Sequence, residues 1–113
     1  MSEGLLYVLA DPGPVPEPEF HDWYDNDHAP ARLQVPGIRA GYRYRAIDGD
    51  RPPWLAYYEL DTAALTSPAY QRLRHRSPRE QAIVDRLATL DRRVYDLVDD
   101  QGTQPQPLPS WCR

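Results

Sequence analysis

The chain has 113 residues, a formal net charge of −4, one cysteine and 11% aromatic residues, eight of them tyrosines. This length predicts one domain with one core, and the acidic balance argues against a nucleic-acid partner, which requires a clustered basic surface. No apolar run approaches the roughly 20 residues of a membrane span, and no basic segment followed by an apolar one opens the sequence, so we expect a cytoplasmic protein with no membrane partner.

The residue types that the chain lacks exclude several kinds of chemistry. All thirteen basic residues are arginine, which excludes lysine Schiff-base catalysis. Ser67 and Ser77 each precede a proline in the pattern of a helix N-cap, so we do not expect a serine hydrolase. The six glycines are scattered and form no phosphate-binding loop. The single cysteine, Cys112, excludes a disulfide framework and a two-cysteine metal site.

The N-terminal part of the chain predicts a strand, a proline-rich loop and a helix. Residues 4–10 form a continuous apolar run, typical of a strand covered on both faces. Pro18, at the end of the loop, can occupy the first turn of a helix. We expect this helix to end near His28, because Pro30 removes a donor and disfavours helix at the residue before it. The helix dipole would then favour the protonated form of His28.

The middle of the chain predicts a β-hairpin. Pro36-Gly37 precedes residues 38–47, where tyrosine and other apolar residues alternate with arginine or glycine at the period of a strand. Residues 48–52 are typical of a turn. Residues 54–60 predict a second strand that pairs with the first.

The C-terminal half predicts two short helices and a last strand. Ser67-Pro68 opens a helix to about Arg76, and residues 77–80 form a capping box for a second helix. Residues 92–98 predict the last strand, and residues 99–113 are a proline-rich tail without periodicity, so the expected domain spans residues 1–98. The second helix carries apolar residues at helical spacing: Ile83, Val84, Leu87 and Leu90.

The order of these elements predicts an α+β fold of the ferredoxin-like type. The order β-α-β-β-α-β, with the second helix split, gives one four-stranded antiparallel sheet with helices on one side. Leucine and tyrosine fall on both faces of the first and third strands, so the face without helices would be partly apolar. An uncovered apolar face of that size implies a partner, and we expect a homodimer that packs sheet on sheet.

The first predicted helix carries an unusual set of titratable residues. Residues 19–28 contain two histidines and four carboxylates among large aromatic side chains. At 100° per residue, Asp27 falls on the arc of Phe20, Trp23 and Tyr24, the face expected to meet the core. A carboxylate there must be hydrogen-bonded, line a cavity or have a raised pKa. Asp27 is therefore either a catalytic residue or a structural one that caps backbone N–H groups near Pro30 or pairs with an arginine.

Three residues of this helix follow the spacing i, i+4, i+7 and are expected to converge: His21, Asp25 and His28. A metal site would need a further ligand, so we expect none. We expect His21 to lie on a solvated edge and His28 to titrate near neutrality in the cleft between helix and sheet, as the general acid or base. Asp25 or Asp27 would tune its pKa.

Several aromatic and cationic residues are candidates for substrate binding. Tyr24 and Arg43 would polarise a substrate oxygen, since Arg43 flanks Gly41, where a missing side chain leaves room for a ligand. Trp23, Tyr44 and Tyr70 would line the pocket. We expect Arg39 and Arg45 to form salt bridges. We expect His75 to lie on a solvated helix face together with Arg72, Arg74 and Arg76.

One motif carries a resemblance to a known family. The pattern Phe20-x2-Trp23-Tyr24-x3-His28-x-Pro30, followed by Pro36-Gly37 and a strand rich in tyrosine and arginine, resembles EthD-like proteins of the dimeric α+β barrel superfamily. The resemblance covers residues 4–98 in outline. It implies a ferredoxin-like protomer, a barrel formed across a dimer, a pocket between sheet and helices, and a functional histidine at the position of His28.

The resemblance also bounds the expected activity. Similar proteins include aromatic-polyketide decarboxylases and dehydratases and an accessory protein of ether degradation, and the wider superfamily includes polyketide cyclases and cofactor-free monooxygenases. We therefore expect a small cofactor-free lyase or isomerase that acts on an aromatic or polycyclic carbonyl compound by proton transfer. A cofactor-free monooxygenase and a non-catalytic binding or accessory protein are the alternatives.

Overall fold

A computed structural model describes residues 3–102 as one antiparallel sheet with helices on one face. The strands are β1 (Glu3–Asp11), β2 (Ile38–Arg45), β3 (Trp54–Asp61) and β4 (Thr89–Asp96), and their spatial order is β2-β3-β1-β4. The helices are α1 (Glu17–Trp23), a π-helical turn (Tyr24–His28), α2 (Ala29–Leu33), a 3₁₀ turn (Thr62–Thr66), α3 (Pro68–Leu73) and α4 (Pro78–Arg86). The predicted ferredoxin-like α+β fold is confirmed.

The core lies between the helices and the two central strands. Alternate residues of β1 and β3 point towards the helices, and Leu6 and Leu60 are almost completely buried there. Phe20 and Trp23 of α1 and Ile83 of α4 close the core from the other side. Alternation at a period of two in the strands therefore fixes which face of the sheet carries the helices.

The sequence predicted that the first helical segment ends near His28, and this was wrong. The segment runs on as α2 to Leu33, with Pro30 in the first turn of α2. The turn before it is π-helical, because the N–H of Ala29 bonds to the carbonyl of Tyr24, five residues back. The hydrogen-bond ladder changes register at this point, so a residue without an N–H is tolerated directly after it.

The C-terminal elements are displaced from their expected positions. Helix α3 ends at Leu73 and α4 ends at Arg86, so Leu90 lies in β4 and not on a helix. Strand β4 begins at Thr89, three residues earlier than expected, because it pairs with β1 from Asp11 back to Gly4. Apolar residues such as Leu90 fit a helix and a strand equally well, and pairing with a neighbour decides between them.

The face of the sheet turned away from the helices, here called the open face, is rich in aromatic residues. The rings of Tyr44 and Tyr57 stack there with their centroids 5.8 Å apart, and Tyr42 lies against Tyr57 at 5.0 Å. Tyr44 is 51% exposed and Tyr95 is 44% exposed. The further apolar residues of this face are Leu5, Tyr7, Leu9 and Leu55.

The described residues, 3–102, include only the start of the predicted C-terminal tail. Most of the proline-rich tail, from residue 103 onwards, lies outside them, as does Cys112. Within residues 3–102, no helix is both long enough and apolar enough to cross a membrane.

Candidate functional site

The π-helical turn brings His28 to the buried side of the first helical segment. The imidazole lies against Trp23 and Tyr24, with ring centroids 4.7 and 4.9 Å away, and only 14% of the side chain is exposed. In a regular α-helix the residue three positions after Tyr24, Asp27, would face the core. Because the π turn contains one more residue, His28 takes that place.

Asp27 is accordingly not on the core face. Its side chain is 46% exposed and is paired with Arg79 of α4, which also bonds Asp22 at 3.0 Å. The expectation of a carboxylate between the core aromatics was wrong, and the alternative of an arginine partner is what the structure contains.

The carboxylate beside His28 belongs to Glu80. Its Oε2 lies 3.6 Å from Nδ1 of His28 and accepts a hydrogen bond of 3.2 Å from Nε1 of Trp23. Nδ1 is buried and has no partner within normal hydrogen-bond distance. The Glu80 side chain is 14% exposed, and its other oxygen lies 3.8 Å from Nε of Arg76. Trp23 thus holds Glu80 so that its charge acts on the imidazole.

Local sequence explains why Glu80 stands at this position. The N–H of Glu80 bonds to the hydroxyl of Ser77, which caps α4 as expected. In a complete capping box the Glu side chain would return to the backbone of Ser77. Here it turns towards α1 and the π turn instead, so a residue expected to have a structural role joins the site.

The pKa of His28 reflects opposing influences. Burial lowers it below its ordinary value of 6.5, the carboxylate of Glu80 raises it, and the positive charges of Arg32 and Arg76 lower it further. The net direction is downward, so His28 is neutral at neutral pH. The contact with His28 in turn lowers the pKa of Glu80, which stays ionised. The expectation that a helix dipole favours protonated His28 was wrong, because the helix continues and burial dominates.

Two adjoining hollows open beside His28 on the helix side of the sheet. The inner hollow, of about 50 Å³, is lined by His28, Tyr58 and the apolar side chains of Leu6, Val8 and Leu90. The outer hollow, of about 210 Å³, is lined by Leu73 and Arg74. Both share a further set of lining residues: Arg32, Tyr70, Arg76 and Arg92. Since they share these residues, we treat them as one cleft with an apolar floor and a cationic mouth.

Three of the four arginines of this cleft have no carboxylate partner among the described residues, and the fourth, Arg76, lies 3.8 Å from Glu80. No carboxylate oxygen among residues 3–102 lies within 4 Å of the guanidinium groups of Arg32, Arg74 or Arg92, and residues 103–113 contain no Asp or Glu. Arg32 donates to the carbonyl of His28 at 3.3 Å, and Arg92 donates to the hydroxyl of Tyr70 at 2.9 Å. Among the described residues, the cleft therefore carries more positive than negative charge, although the whole chain is acidic.

His21 and Asp25, which were expected to converge with His28, lie at a different place in the structure. Arg43 donates to Asp25 at 2.9 Å and contacts Nδ1 of His21 at 3.1 Å, and its guanidinium lies 4.3 Å from the centre of the Tyr24 ring. His21 and Asp25 therefore meet at Arg43, away from the cleft that His28 lines. The change of helical phase at the π turn separates His28 from them.

The candidate binding residues are divided among three places. Tyr70 lines the cleft, while Trp23 and Tyr24 pack against the imidazole of His28 from behind. Tyr24 shares a hydrogen bond of 3.3 Å with the hydroxyl of Tyr58, and burial raises its pKa, so its hydroxyl stays protonated. Tyr44 lies on the open face, on the other side of the sheet.

The space expected beside Gly41 is filled. A Cβ atom on Gly41 would approach the ring of Tyr58 to 2.9 Å. Gly41 therefore serves the close packing of β2 on that ring, and Arg43 has no ligand-sized space next to it there.

Other clusters among the described residues fit catalysis less well. A larger hollow of about 290 Å³ lies at the edge of the sheet between β1 and β4, and its lining contains the acidic residues Glu3, Glu59 and Asp96 but no histidine or arginine. No group of three or more His, Cys, Asp or Glu side chains within residues 3–102 is arranged to hold a metal ion.

Sequence reasoning missed most of the partners of His28. The sequence predicted a capping role for Glu80 and a solvated helix face for Arg74 and Arg76. Arg32 and Arg92 lie in no motif that the sequence analysis recognised. A helical phase that allowed for the π turn would have favoured His28 over Asp27, but nothing local links Trp23 to Glu80, which is 57 residues away.

Comparison with known proteins gives information at the level of structure. No family model and no curated protein matches the sequence. An EthD (ethyl tert-butyl ether D) family protein of Bacillus halodurans matches with a TM-score of 0.56 at 17% identity, over 87% of this chain and 100% of that one. A candidate monooxygenase of Shewanella loihica matches with a TM-score of 0.59 at 19% identity, over 88% and 99%.

A third structure, HapK of Hahella chejuensis, matches with a TM-score of 0.56 at 13% identity, over 91% of this chain and 99% of that one. Identities this low establish the fold alone. The fold that the first-helix motif implied is thus confirmed by its likeness to an EthD family protein.

Proposed function

We propose that this chain is an EthD-like enzyme that uses His28 as a general base on a small carbonyl compound. The observation that carries the proposal is a neutral, largely buried imidazole that lines a cleft, with an ionised carboxylate 3.6 Å from its Nδ1. Glu80 favours the tautomer with its proton on Nδ1, which leaves Nε2 to accept a proton from a molecule in the cleft.

The reaction class follows from what the side chains offer. His28 takes a proton from carbon or oxygen next to a carbonyl and returns it to another atom, and the positive charge of the cleft favours the binding of an anionic compound beside it. Such a step is common to cyclisation and dehydration, and in a decarboxylation the same histidine, in its protonated form, would give a proton to the carbon that loses CO₂. We therefore propose a lyase or isomerase of a polyketide-type or related pathway that requires no cofactor.

The dimensions of the cleft restrict the substrate. Pockets for drug-sized ligands usually measure about 300–1,000 Å³, and both hollows beside His28 are smaller. This supports a monocyclic or open-chain carbonyl compound over a polycyclic one.

A cofactor-free monooxygenase is the second candidate, and the likeness to the candidate monooxygenase of Shewanella loihica favours it. The first step would be the same, because deprotonation by His28 gives an electron-rich anion that can react with oxygen directly. Oxygen consumption during turnover distinguishes the two. A non-catalytic accessory protein would bind the same compounds with no turnover at all.

We also propose that two copies of the chain associate through the open face. The exposed rings of Tyr42, Tyr44 and Tyr95 support this, since apolar surface of that extent in a soluble protein usually has a partner. The hollow between β1 and β4 would lie near such an interface, while the cleft of His28, on the helix side, would stay accessible.

Replacement of His28 tests the enzymatic proposal. Small cyclic ketones and keto acids would be screened in D₂O by NMR, which detects both conversion and exchange of protons next to the carbonyl. We expect His28→Ala to lower the rate on any active compound at least ~100-fold, as is typical for loss of a general acid–base group.

The matched control is His75→Ala, because His75 is exposed on the surface. It should retain the wild-type rate. If His28→Ala keeps its rate while still folded, the proposed role of His28 is refuted.

A further inference from the structure

The charge distribution in the cleft of His28 points to the chemistry of its ligand. Arg32 of α2, Arg92 of β4 and Arg76 of the connection between α3 and α4 line both hollows, and Arg74 lines the outer one. Glu80 is the acidic residue in contact with this group, and it is engaged by His28 and Trp23. Like charges held around one small space repel each other, and an anion between them removes that repulsion.

Arg32 and Arg92 are held in place by neutral groups, which leaves their charge available, while Arg76 lies 3.8 Å from the carboxylate of Glu80. Arg92 is held by the hydroxyl of Tyr70 at 2.9 Å, and Arg32 by the carbonyl of His28 at 3.3 Å. These bonds orient the guanidinium groups and do not neutralise them. Guanidinium groups bind carboxylates through paired hydrogen bonds, which makes such a set a suitable site for an organic acid.

The floor of the cleft decides between an organic and an inorganic anion. Leu6, Val8 and Leu90 line the inner hollow next to His28, and an inorganic ion would leave this apolar surface empty. A ligand with an apolar body in the inner hollow and an anionic group at the mouth would satisfy both parts.

We propose that the ligand of this cleft is a small organic carboxylate, with its carboxylate bound by Arg32, Arg76 and Arg92 and its carbon skeleton directed towards His28. This inference rests on the proposed function, because it assumes that the cleft of His28 is the active site, and it adds the class of substrate. The role of the carboxylate is to bind and orient the ligand in the cleft.

One consequence concerns the reaction. Loss of CO₂ requires a carboxylate to give up its charge, and three guanidinium groups stabilise the charged ground state. The bound carboxylate is therefore retained, and the proton transfer at His28 takes place elsewhere on the molecule. This favours cyclisation, dehydration or isomerisation over decarboxylation of that group.

Calorimetric titration with benzoate, benzamide and inorganic phosphate tests the proposal on the full chain at low ionic strength. Benzoate and benzamide have nearly the same shape and differ in charge. We expect benzoate to bind and benzamide not to bind measurably. Arg92→Gln and Arg32→Gln should each weaken benzoate binding about ten-fold or more, the effect of losing one charge-assisted hydrogen bond.

Arg72→Gln is the matched control, since Arg72 is an exposed arginine of α3 that does not line the cleft. It should bind benzoate as the wild type does. Equal binding by the Arg92, Arg32 and Arg72 variants would overturn the proposal, as would binding of phosphate in place of benzoate or equal binding of benzamide.

The experiment separates this inference from the proposed function. His28→Ala should keep its affinity for benzoate, because the arginines supply the binding, while it loses turnover. If benzoate does not bind but His28→Ala still abolishes a reaction, the carboxylate assignment alone fails. If benzoate binds through the arginines and the variant keeps its rate, the catalytic role alone fails.

Discussion

At His28, burial and a neighbouring carboxylate act on the same imidazole in opposite directions. Burial disfavours the charged form, while Glu80 favours it, and Arg32 and Arg76 oppose it again. The balance leaves a neutral imidazole, which is the form that a general base needs at rest. The same environment makes the site sensitive to any change in the charge of Glu80.

Replacement of Glu80 by Gln should therefore shift the pH dependence in a defined direction. The carboxylate raises the pKa of His28, so its removal should lower that pKa further, and the acidic limb of the pH–rate profile should move to lower pH. NMR titration of the imidazole gives the same quantity without a substrate.

Asp85→Asn is a suitable control for this change, because Asp85 lies on the same helix, is exposed, and bonds to Gln81 at 2.7 Å. It should leave the pKa of His28 unchanged. A titration of His28 that is the same in the Glu80→Gln variant and the wild type would show that the carboxylate does not act on it.

At the scale of elements, two local irregularities build the site. The π turn rotates His28 into the place that Asp27 would occupy in a regular helix. In the sheet, Gly41 of β2 lets the ring of Tyr58 pack against the strand, and Tyr58 lines the cleft and shares a hydrogen bond with Tyr24. Both features place side chains where regular geometry would not.

Addition of a single methyl group at Gly41 tests the second irregularity. A Cβ there would lie 2.9 Å from the Tyr58 ring, so Gly41→Ala should lower the free energy of unfolding by ~1–3 kcal/mol, the usual cost of overpacking. Urea unfolding measures this change.

A second substitution shows whether the clash with the ring is the cause. Tyr58→Leu removes the ring, so Gly41→Ala should cost little when made in that background, which a double-mutant cycle reports as a coupling energy. If the two substitutions lower the free energy of unfolding additively, the methyl group does not clash with the ring of Tyr58.

At the scale of the whole molecule, the two faces of the sheet have different roles. The helix face supplies the core and the cleft of His28, and the open face presents stacked tyrosines to the surroundings. Burial of such a face against a second copy removes its apolar surface from water without a further domain.

A charge placed on the open face should therefore prevent association. We expect the wild-type chain to have a mass in solution of twice its 13.0 kDa, and Tyr57→Glu, in the middle of the tyrosine cluster, to have the mass of one copy. Light scattering after size exclusion measures both. Arg72→Gln, on the helix side, should stay with the wild type, and a monomeric wild-type chain would contradict the proposal.

Local pattern was sufficient to predict most of the architecture. Alternation in β2, the serine caps of α3 and α4, and the apolar run of β1 each depend on neighbours within a few residues, and each predicted an element of the right type at the right place. The motif around His28 also selected the residue that lines the cleft. Interactions between residues that are close in the sequence produce recognisable sequence patterns, so they can be predicted without a structure.

Only the tertiary structure decided what surrounds His28. The π turn, the contact between Trp23 and Glu80, and the placement of Arg32 and Arg92 in one cleft depend on packing between elements far apart in the chain. The charge of a cleft and the pKa of a buried group are sums over such distant neighbours. The sequence alone therefore determined the fold and a candidate base, while three-dimensional packing determined its protonation, its carboxylate partner and the cationic mouth of its cleft.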